Sequence, residues 1–124
     1  MKLNIKNETG KLRSVVLGQP KSMGDTPSLD ESYDAKSYYS IKNNIYPLEK
    51  DIIDEMEAFE NVLKKYHVEV LRPHIIENYN QVFARDVAFV IDDKMIISNV
   101  ISDRADEQEA YRNIFEKVKW RNII

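Results

Sequence analysis

The chain has 124 residues, of which 43% are hydrophobic and 31% charged, and its formal net charge is −3. This length suits one compact domain, and the composition excludes the hydrophobe-poor, highly charged class of disordered chains. Acidic and basic residues are interspersed without a basic block, so we expect no nucleic-acid partner. No apolar run approaches the roughly 20 residues that span a bilayer, and the N-terminus lacks a signal peptide's apolar stretch. We therefore expect a cytoplasmic protein that does not bind membranes.

The first predicted element is a buried strand at residues 12–18, "LRSVVLG", where Val15 and Val16 favour extended backbone and Gly18 ends the strand. Residues 19–47 show neither helical nor strand periodicity and predict a long loop. Such a loop fits an ordered lid over a pocket, or simple packing on the domain surface. It contains four of the seven tyrosines, Tyr33, Tyr38, Tyr39 and Tyr46.

A helix is predicted from residue 48 to residue 66, because apolar residues recur there at steps of three and four. Pro47 fits its start. A strand at residues 68–72 follows and ends at Pro73. The helical stripe consists of Leu48, Ile52, Met56, Phe59, Leu63 and Tyr66.

Two further strands are predicted at residues 87–91 and 95–100, joined by a tight turn at residues 92–94. Both are nearly all apolar, which is typical of strands buried on both faces under layered helices and favours an α/β fold. A second helix follows, with Ser102 or Asp103 as its N-cap. The last residues, "WRNII", read as the start of another strand, so we expect a fragment of a longer protein. The stripe of the second helix consists of Ala110, Tyr111, Ile114, Phe115 and Val118.

Arg85 and Asp86 stand at the start of the most apolar stretch. On a strand they would point to opposite faces, so we expect one to be structural and the other to face a ligand at the strand end. A buried carboxylate there needs a partner, and a planar guanidinium is its natural complement. The residues themselves leave two interpretations open, namely an ion pair with an internal arginine and a role in substrate binding.

The segment "FARDVAFVIDDKMII" followed by "RADEQEAYRNIF" resembles the amidinotransferase and arginine deiminase superfamily, and glycine amidinotransferases are its most similar branch. The family pattern is an apolar or aromatic residue, Arg-Asp, an apolar strand pair, then Arg-x-x-Glu with Ala-Tyr-Arg. Upstream, "LRSVVLGQP" and "FENVLKKYHVEVLRP" are similar to the family's opening strand and to its helix and strand ending in Arg-Pro. The matching positions are Phe83, Arg85, Asp86, Arg104, Glu107, Ala110, Tyr111 and Arg112.

This resemblance implies an α/β fold of the pentein type, a five-bladed propeller of ββαβ units. About two units are expected in residues 1–124, as the N-terminal part of an amidinotransferase-like domain. It implies that Asp86 holds the substrate guanidinium, that Arg104 pairs with the substrate carboxylate, and that Phe83 shapes the pocket wall. Two alternatives stay open: Arg104 could instead pair with Glu107 three residues on, and the residue type of Phe83 favours ordinary core.

The family reaction implies attack by a cysteine thiolate on the guanidinium carbon, an amidino-enzyme intermediate, and transfer to an amine or water with histidine as base. The chain contains no cysteine, so we expect the nucleophile, its histidine and the acidic partners beyond Ile124, and no turnover by this chain. A non-catalytic arginine-binding module and a structural interaction protein are the alternatives. The expected partner is an arginine-like small molecule, and copies of the chain could associate through apolar sheet edges.

Other polar residues are interpreted as structural. His67 at a helix end and His74 after Pro73 make a poor metal site, and we predict no metal or cofactor. Asp92 and Asp93 are typical of a solvated turn. Four acidic residues crowd the start of the second helix, where negative charge is favoured by the helix dipole. They are Asp103, Asp106, Glu107 and Glu109.

Overall fold

The computed structural model describes residues 1–32 and 34–124. Tyr33, one of the tyrosines assigned to the long loop, lies outside the described residues. The strands are β1 (Ser14–Val16), β2 (Glu69–Leu71), β3 (Ala88–Ile91) and β4 (Lys94–Ile97). The α-helices are α1 (Ala35–Lys42), α2 (Glu49–Lys65), α3 (Ala84–Val87), α4 (Asp106–Ala110) and α5 (Arg112–Phe115). Short 3₁₀ turns occur at Leu29–Glu31, Ser102–Arg104 and Trp120–Asn122.

Helix α2 confirms the longest predicted helix. It begins with acidic residues in its first turn and ends with Lys64 and Lys65, the arrangement that the helix dipole favours. The chain leaves it through His67, whose φ of 58° lies in the left-handed region. There the amide of His67 donates to the carbonyl of Lys64 (2.9 Å) and that of Val68 to the carbonyl of Leu63 (3.0 Å). This pair of bonds satisfies carbonyls that the helix end leaves open.

Strands β1 and β2 form a parallel pair, with Val15 opposite Val70, and α1 and α2 lie between them in the chain. Both strands were predicted, but each is only three residues long. Gly18, just after β1, passes so close to the neighbouring backbone that an added Cβ would lie 2.1 Å from the carbonyl oxygen of Val82. Glycine is therefore required there for steric reasons.

The prediction of a long loop without a helix or strand at residues 19–47 is wrong, because α1 forms within it. Asp34 caps this helix, its carboxylate accepting from the amides of Lys36 and Ser37, both at 2.9 Å. The helix is polar and has no buried residue, so it lacks the apolar periodicity by which helices are recognised. Tyr38 and Tyr39 are exposed on it.

Strands β3 and β4 form the predicted antiparallel hairpin, with Phe89 opposite Ile96 and a two-residue turn at Asp92 and Asp93. The prediction that both faces are buried is wrong, since Phe89 and Ile91 are exposed on one face. The strand also starts later than predicted, because residues before Ala88 form the helical turn α3. Next to the hairpin, the amide of Ile124 donates to the carbonyl of Met95 at 2.9 Å.

The predicted second helix is broken at Tyr111 into α4 and α5. Neither Ser102 nor Asp103 caps it, because both lie in a 3₁₀ turn and Ala105 precedes α4 without a side-chain cap. The predicted stripe is nevertheless buried, apart from the half-buried Phe115. Its residues join β2 and α3 in the main core cluster of Leu71, Val87, Ala110, Tyr111 and Ile114.

The architecture is a mixture of helices with two separate two-stranded sheets, and neither sheet closes within the described residues. The order strand, helix, strand, then strand, strand, helix agrees with the prediction once α1 and α3 are added. The five-bladed propeller stays a prediction. No helix of the described residues combines the length and the apolar character needed to cross a bilayer.

Candidate functional site

A cavity of about 670 Å³ lies where α3, the hairpin and the Ser102–Arg104 turn meet. It is an open depression rather than an enclosed pocket, and it combines three charged side chains with apolar residues. Its lining consists of Asn80, Phe83, Arg85, Asp86, Phe89, Ser98, Asn99, Val100, Ile101 and Arg104. All three residues assigned to the site from the family resemblance are in this set.

Arg85 and Asp86 both line this cavity, so the prediction that they point to opposite faces is wrong. The reason is local: they lie on the helical turn α3 rather than on a strand. Neighbouring residues on a helix are about 100° apart, whereas on a strand they alternate between faces. The next residue, Val87, is fully buried in the core and anchors the turn.

The carboxylate of Asp86 is paired but not buried. Its side chain is 51% exposed, and Oδ2 accepts a hydrogen bond from Nη1 of Arg104 at 2.7 Å. The expectation of a buried carboxylate is therefore wrong, while the expected pairing with an internal arginine is present. Within the described residues Oδ1 of Asp86 accepts no hydrogen bond. One carboxylate oxygen of this cavity-lining residue thus has no protein donor among the described residues.

Arg104 is held mainly by Glu107, the alternative left open from the sequence. Nε of Arg104 donates to Oε1 of Glu107 at 2.7 Å and Nη2 donates to Oε2 at 2.8 Å. These bonds, with that to Asp86, raise the pKa of Arg104, although burial works against them. All three guanidinium nitrogens therefore serve protein acceptors. The proposed pairing of Arg104 with a substrate carboxylate stays a prediction.

Glu107 lies in the first turn of α4, as its grouping with the acidic residues at a helix start implies, but it is buried. Its residue exposure is 1%, and its carboxylate lies beneath Arg104. A buried carboxylate needs a partner with matching geometry, and the guanidinium fork provides it. The spacing of three residues between the two was the sequence signal for this pair.

Phe83 forms part of the cavity wall instead of the core. It is more than half exposed and lines the cavity with Phe89 and Ile101, which are also exposed. The interpretation as ordinary core is therefore wrong, and its position agrees with the wall role that the resemblance implies. The sequence could not distinguish a core position from a position in the cavity wall, because an aromatic residue before a buried stretch is compatible with either.

Gln81 was not singled out from the sequence, yet it is fully buried and organises the segment that leads into the cavity. Its Nε2 donates to the carbonyl of His74 at 2.9 Å, and its Oε1 accepts from the amide of Ile76 at 2.8 Å. Its carbonyl accepts from the amide of Gln19 at 2.9 Å. The side chain of Gln81 therefore holds the segment at His74 and Ile76, and its backbone carbonyl joins that segment to the chain after β1.

Two tyrosines border the charged cluster. The hydroxyl of Tyr79 donates to the carbonyl of Asp103, which links the loops on two sides of the cavity. Burial and the charge of Glu107 raise the pKa of Tyr79. Tyr111 is buried in the core, and its hydroxyl has no hydrogen-bond partner among the described residues. Burial and then Glu107 raise the pKa of Tyr111 as well, so both phenols stay protonated at neutral pH.

The remaining candidates lie outside the cavity. Neither His67 nor His74 lines the cavity. His67 follows the end of α2, and the backbone amide of His74 donates to the carbonyl of Ala110. Tyr38 and Tyr39 do not line it either, so the lid role of their segment stays a prediction. Within residues 1–32 and 34–124, His, Asp and Glu form no group of three that could hold a metal ion.

No protein-family model, curated protein or solved structure matches the chain. The chemistry of the cavity therefore has to be inferred from its own residues and from the motif resemblance.

Proposed function

We propose that the chain is the guanidinium-holding part of a cytoplasmic, amidinotransferase-like enzyme that acts on arginine or a related guanidino compound. The observation that carries the proposal is the position of Asp86, which brings an unused carboxylate oxygen to a cavity with aromatic walls. A guanidinium is planar, cationic and weakly hydrated, so it suits a carboxylate beside aromatic faces. In this role Asp86 accepts from the ligand while Arg104 keeps its other oxygen in place.

Arg85 supports an amino-acid ligand over a simple guanidine. It lines the same cavity as Asp86 and forms no ion pair within the described residues. A cation and an anion that line the same cavity match the two charged ends of arginine. Arg104 already donates three hydrogen bonds to protein carboxylates, so Arg85 is the cation of the cavity that we assign to the ligand carboxylate.

The covalent chemistry of the proposed enzyme needs a thiolate. It attacks the guanidinium carbon, the carbon–nitrogen bond breaks, and the leaving amine takes a proton. The amidino group on sulfur then passes to a second amine or to water, which releases the thiolate. These 124 residues contain no cysteine, so we expect the chain to bind the guanidinium without turning it over.

Titration calorimetry with L-arginine tests the proposal. We expect measurable heat from the unmodified chain, loss of that heat in Asp86→Asn, and retention in Asp92→Asn, which makes the same change on an exposed carboxylate in the hairpin turn. Arg85→Gln should weaken arginine binding but leave agmatine, which lacks the carboxylate, unaffected. Absence of heat at millimolar arginine, or heat that survives Asp86→Asn, would contradict the proposal, as would formation of citrulline by this chain.

A second candidate is a non-catalytic module of the same fold, either arginine-binding or structural. The pairing of Asp86 with Arg104 favours the structural version, because it already neutralises the carboxylate. In that case Asp86→Asn should lower the free energy of unfolding, and arginine should neither bind nor raise the melting temperature. Binding without any cysteine-dependent partner activity would instead favour the arginine-binding module.

A further inference from the structure

Helix α2 has two apolar faces, and only one of them packs on the rest of the chain. The packed face includes Met56 and Glu60, and Glu60 bonds to Arg72 immediately after β2. A second stripe, about 100° around the helix, carries large apolar residues at spacings of four, seven, three and four. This exposed stripe consists of Leu48, Ile52, Phe59, Val62 and Tyr66.

The exposed stripe is more apolar than a solvated helix face requires. Leu48, Phe59, Val62 and Tyr66 are each at least half exposed, and α2 has no buried residue anywhere along its length. Ile52 is half-buried, and the exposed Glu55 interrupts the row between Ile52 and Phe59. Single exposed apolar residues are ordinary, but several of them along one helix face mark an interaction surface. A helix partner with apolar residues at the same spacing would cover this row.

The charges beside the exposed stripe are self-complementary. Asp51 and Lys65 lie on the same flank of the stripe, each seven residues from Ala58, and all three are exposed. Neither Asp51 nor Lys65 forms an ion pair within the part of the chain that the structure describes. When two identical helices pair antiparallel about a two-fold axis, a given flank of one helix lies beside the same flank of the other. Asp51 of each copy would therefore face Lys65 of the other copy.

We propose that α2 pairs antiparallel with α2 of a second copy of this chain, with the exposed stripe as the interface and Ala58 at the two-fold axis. The acidic first turn of one helix then lies beside the basic last turn of the other. A parallel pairing would place like-charged ends together, which is unfavourable. The interface is separate from the cavity, so it does not depend on the proposed ligand.

Charge reversal tests the pairing. Sedimentation velocity over a wide range of protein concentration should show dimers of the unmodified chain. Lys65→Glu alone and Asp51→Lys alone should each weaken self-association by about tenfold, because symmetry creates two repulsive pairs per dimer. The double variant with both Asp51→Lys and Lys65→Glu should restore self-association. Lys11→Glu, an exposed lysine outside α2, is the matched control.

Cross-linking locates the axis. The chain contains no cysteine, so Ala58→Cys with oxidised glutathione should give a disulfide-linked dimer, whereas the exposed Ala105→Cys should not. Circular dichroism shows whether each variant remains folded. A chain that is monomeric at every concentration overturns the proposal. Self-association that Lys65→Glu leaves unchanged overturns it as well. The same holds if the double variant associates no more tightly than the single variants, or if positions 58 and 105 cross-link equally.

Discussion

Arg104 and Glu107 form a bidentate ion pair beside the cavity, with hydrogen bonds of 2.7 and 2.8 Å, and Glu107 is only 1% exposed. Removing the charge of Glu107 leaves Arg104 only partly compensated by Asp86. We expect Glu107→Gln to lower the free energy of unfolding by about 3 kcal/mol in denaturant titrations. The exposed pair of Glu109 and Arg112 has the same spacing, and Glu109→Gln should leave stability nearly unchanged. Equal effects would contradict the structural role of the buried pair.

Gln81 should contribute more to the stability of the fold than Gln19, although both are buried amides. The side chain of Gln81 makes two hydrogen bonds to backbone groups, whereas that of Gln19 makes one, to the carbonyl of Pro73. We expect Gln81→Leu to destabilise the fold by about 2–4 kcal/mol and Gln19→Leu by about half as much, since each change leaves buried backbone groups unpaired. Chemical unfolding of both variants measures the difference. A larger effect at Gln19 would show that Gln81 does not organise the turn.

His67 is a non-glycine residue in the left-handed region at the end of α2. We expect His67→Gly to raise the free energy of unfolding by about 1 kcal/mol, because glycine adopts this conformation without a steric penalty. Thermal unfolding would show a higher melting temperature. Asn44 also has a positive φ of 55°, but asparagine tolerates it, so Asn44→Gly should gain less. A loss of stability in His67→Gly would mean that the imidazole makes a favourable contact.

Tyr111 and Tyr79 should respond in opposite ways to loss of their hydroxyls. The hydroxyl of Tyr111 is buried without a hydrogen-bond partner in residues 1–32 and 34–124, while that of Tyr79 donates to the carbonyl of Asp103. We expect Tyr111→Phe to leave stability unchanged or slightly higher, and Tyr79→Phe to lower it by about 1 kcal/mol. Denaturant titrations of the two variants give the comparison. Marked destabilisation by Tyr111→Phe would show that its hydroxyl is satisfied in solution.

Glu60 should make stability depend on acid pH. Hydrogen bonds from Lys64 and then Arg72 hold the pKa of Glu60 below its ordinary value of 4.5. A lowered folded pKa means that the contribution to stability is present above the ordinary value and is lost as the pH falls through the folded pKa. Below about pH 4.5, unfolding free energy should therefore fall more steeply for the unmodified chain than for Glu60→Gln. Glu57→Gln, which removes an exposed pair with Lys21, should keep the steep fall.

The helix α2 and the hairpin of β3 and β4 could be predicted because their signals are local. The apolar period of α2 and the Asp92 and Asp93 turn between apolar runs each specify an element within a few residues. Helix α1 could not be found in this way, since it is held by the cap at Asp34 rather than by an apolar stripe. The prediction of a strand from residue 87, with extended backbone at Arg85 and Asp86 before it, failed because the burial of Val87 fits a helical turn equally well.

The residues that the resemblance assigned to the site lie together in the structure, but their contacts differ from those expected. The motif resemblance selected Phe83, Asp86 and Arg104, and the structure brings all three to one cavity. The resemblance did not show that Asp86 would be half exposed, or that Glu107 would accept hydrogen bonds from two of the nitrogens of Arg104. The pairing of Asp86 with Arg104 depends on how the Ser102–Arg104 turn approaches α3, which is a contact between segments distant in the chain, whereas the pairing of Arg104 with Glu107 is local.

Residue order by itself determined where backbone conformation changes, which runs are apolar, and that these 124 residues contain no thiol. Tertiary structure decided which charges meet and which remain open, as with Asp86, Arg85 and Arg104. The physical reason is that secondary structure follows from interactions over a few residues, whereas the strength and role of a charge depend on its burial and on partners brought near by packing.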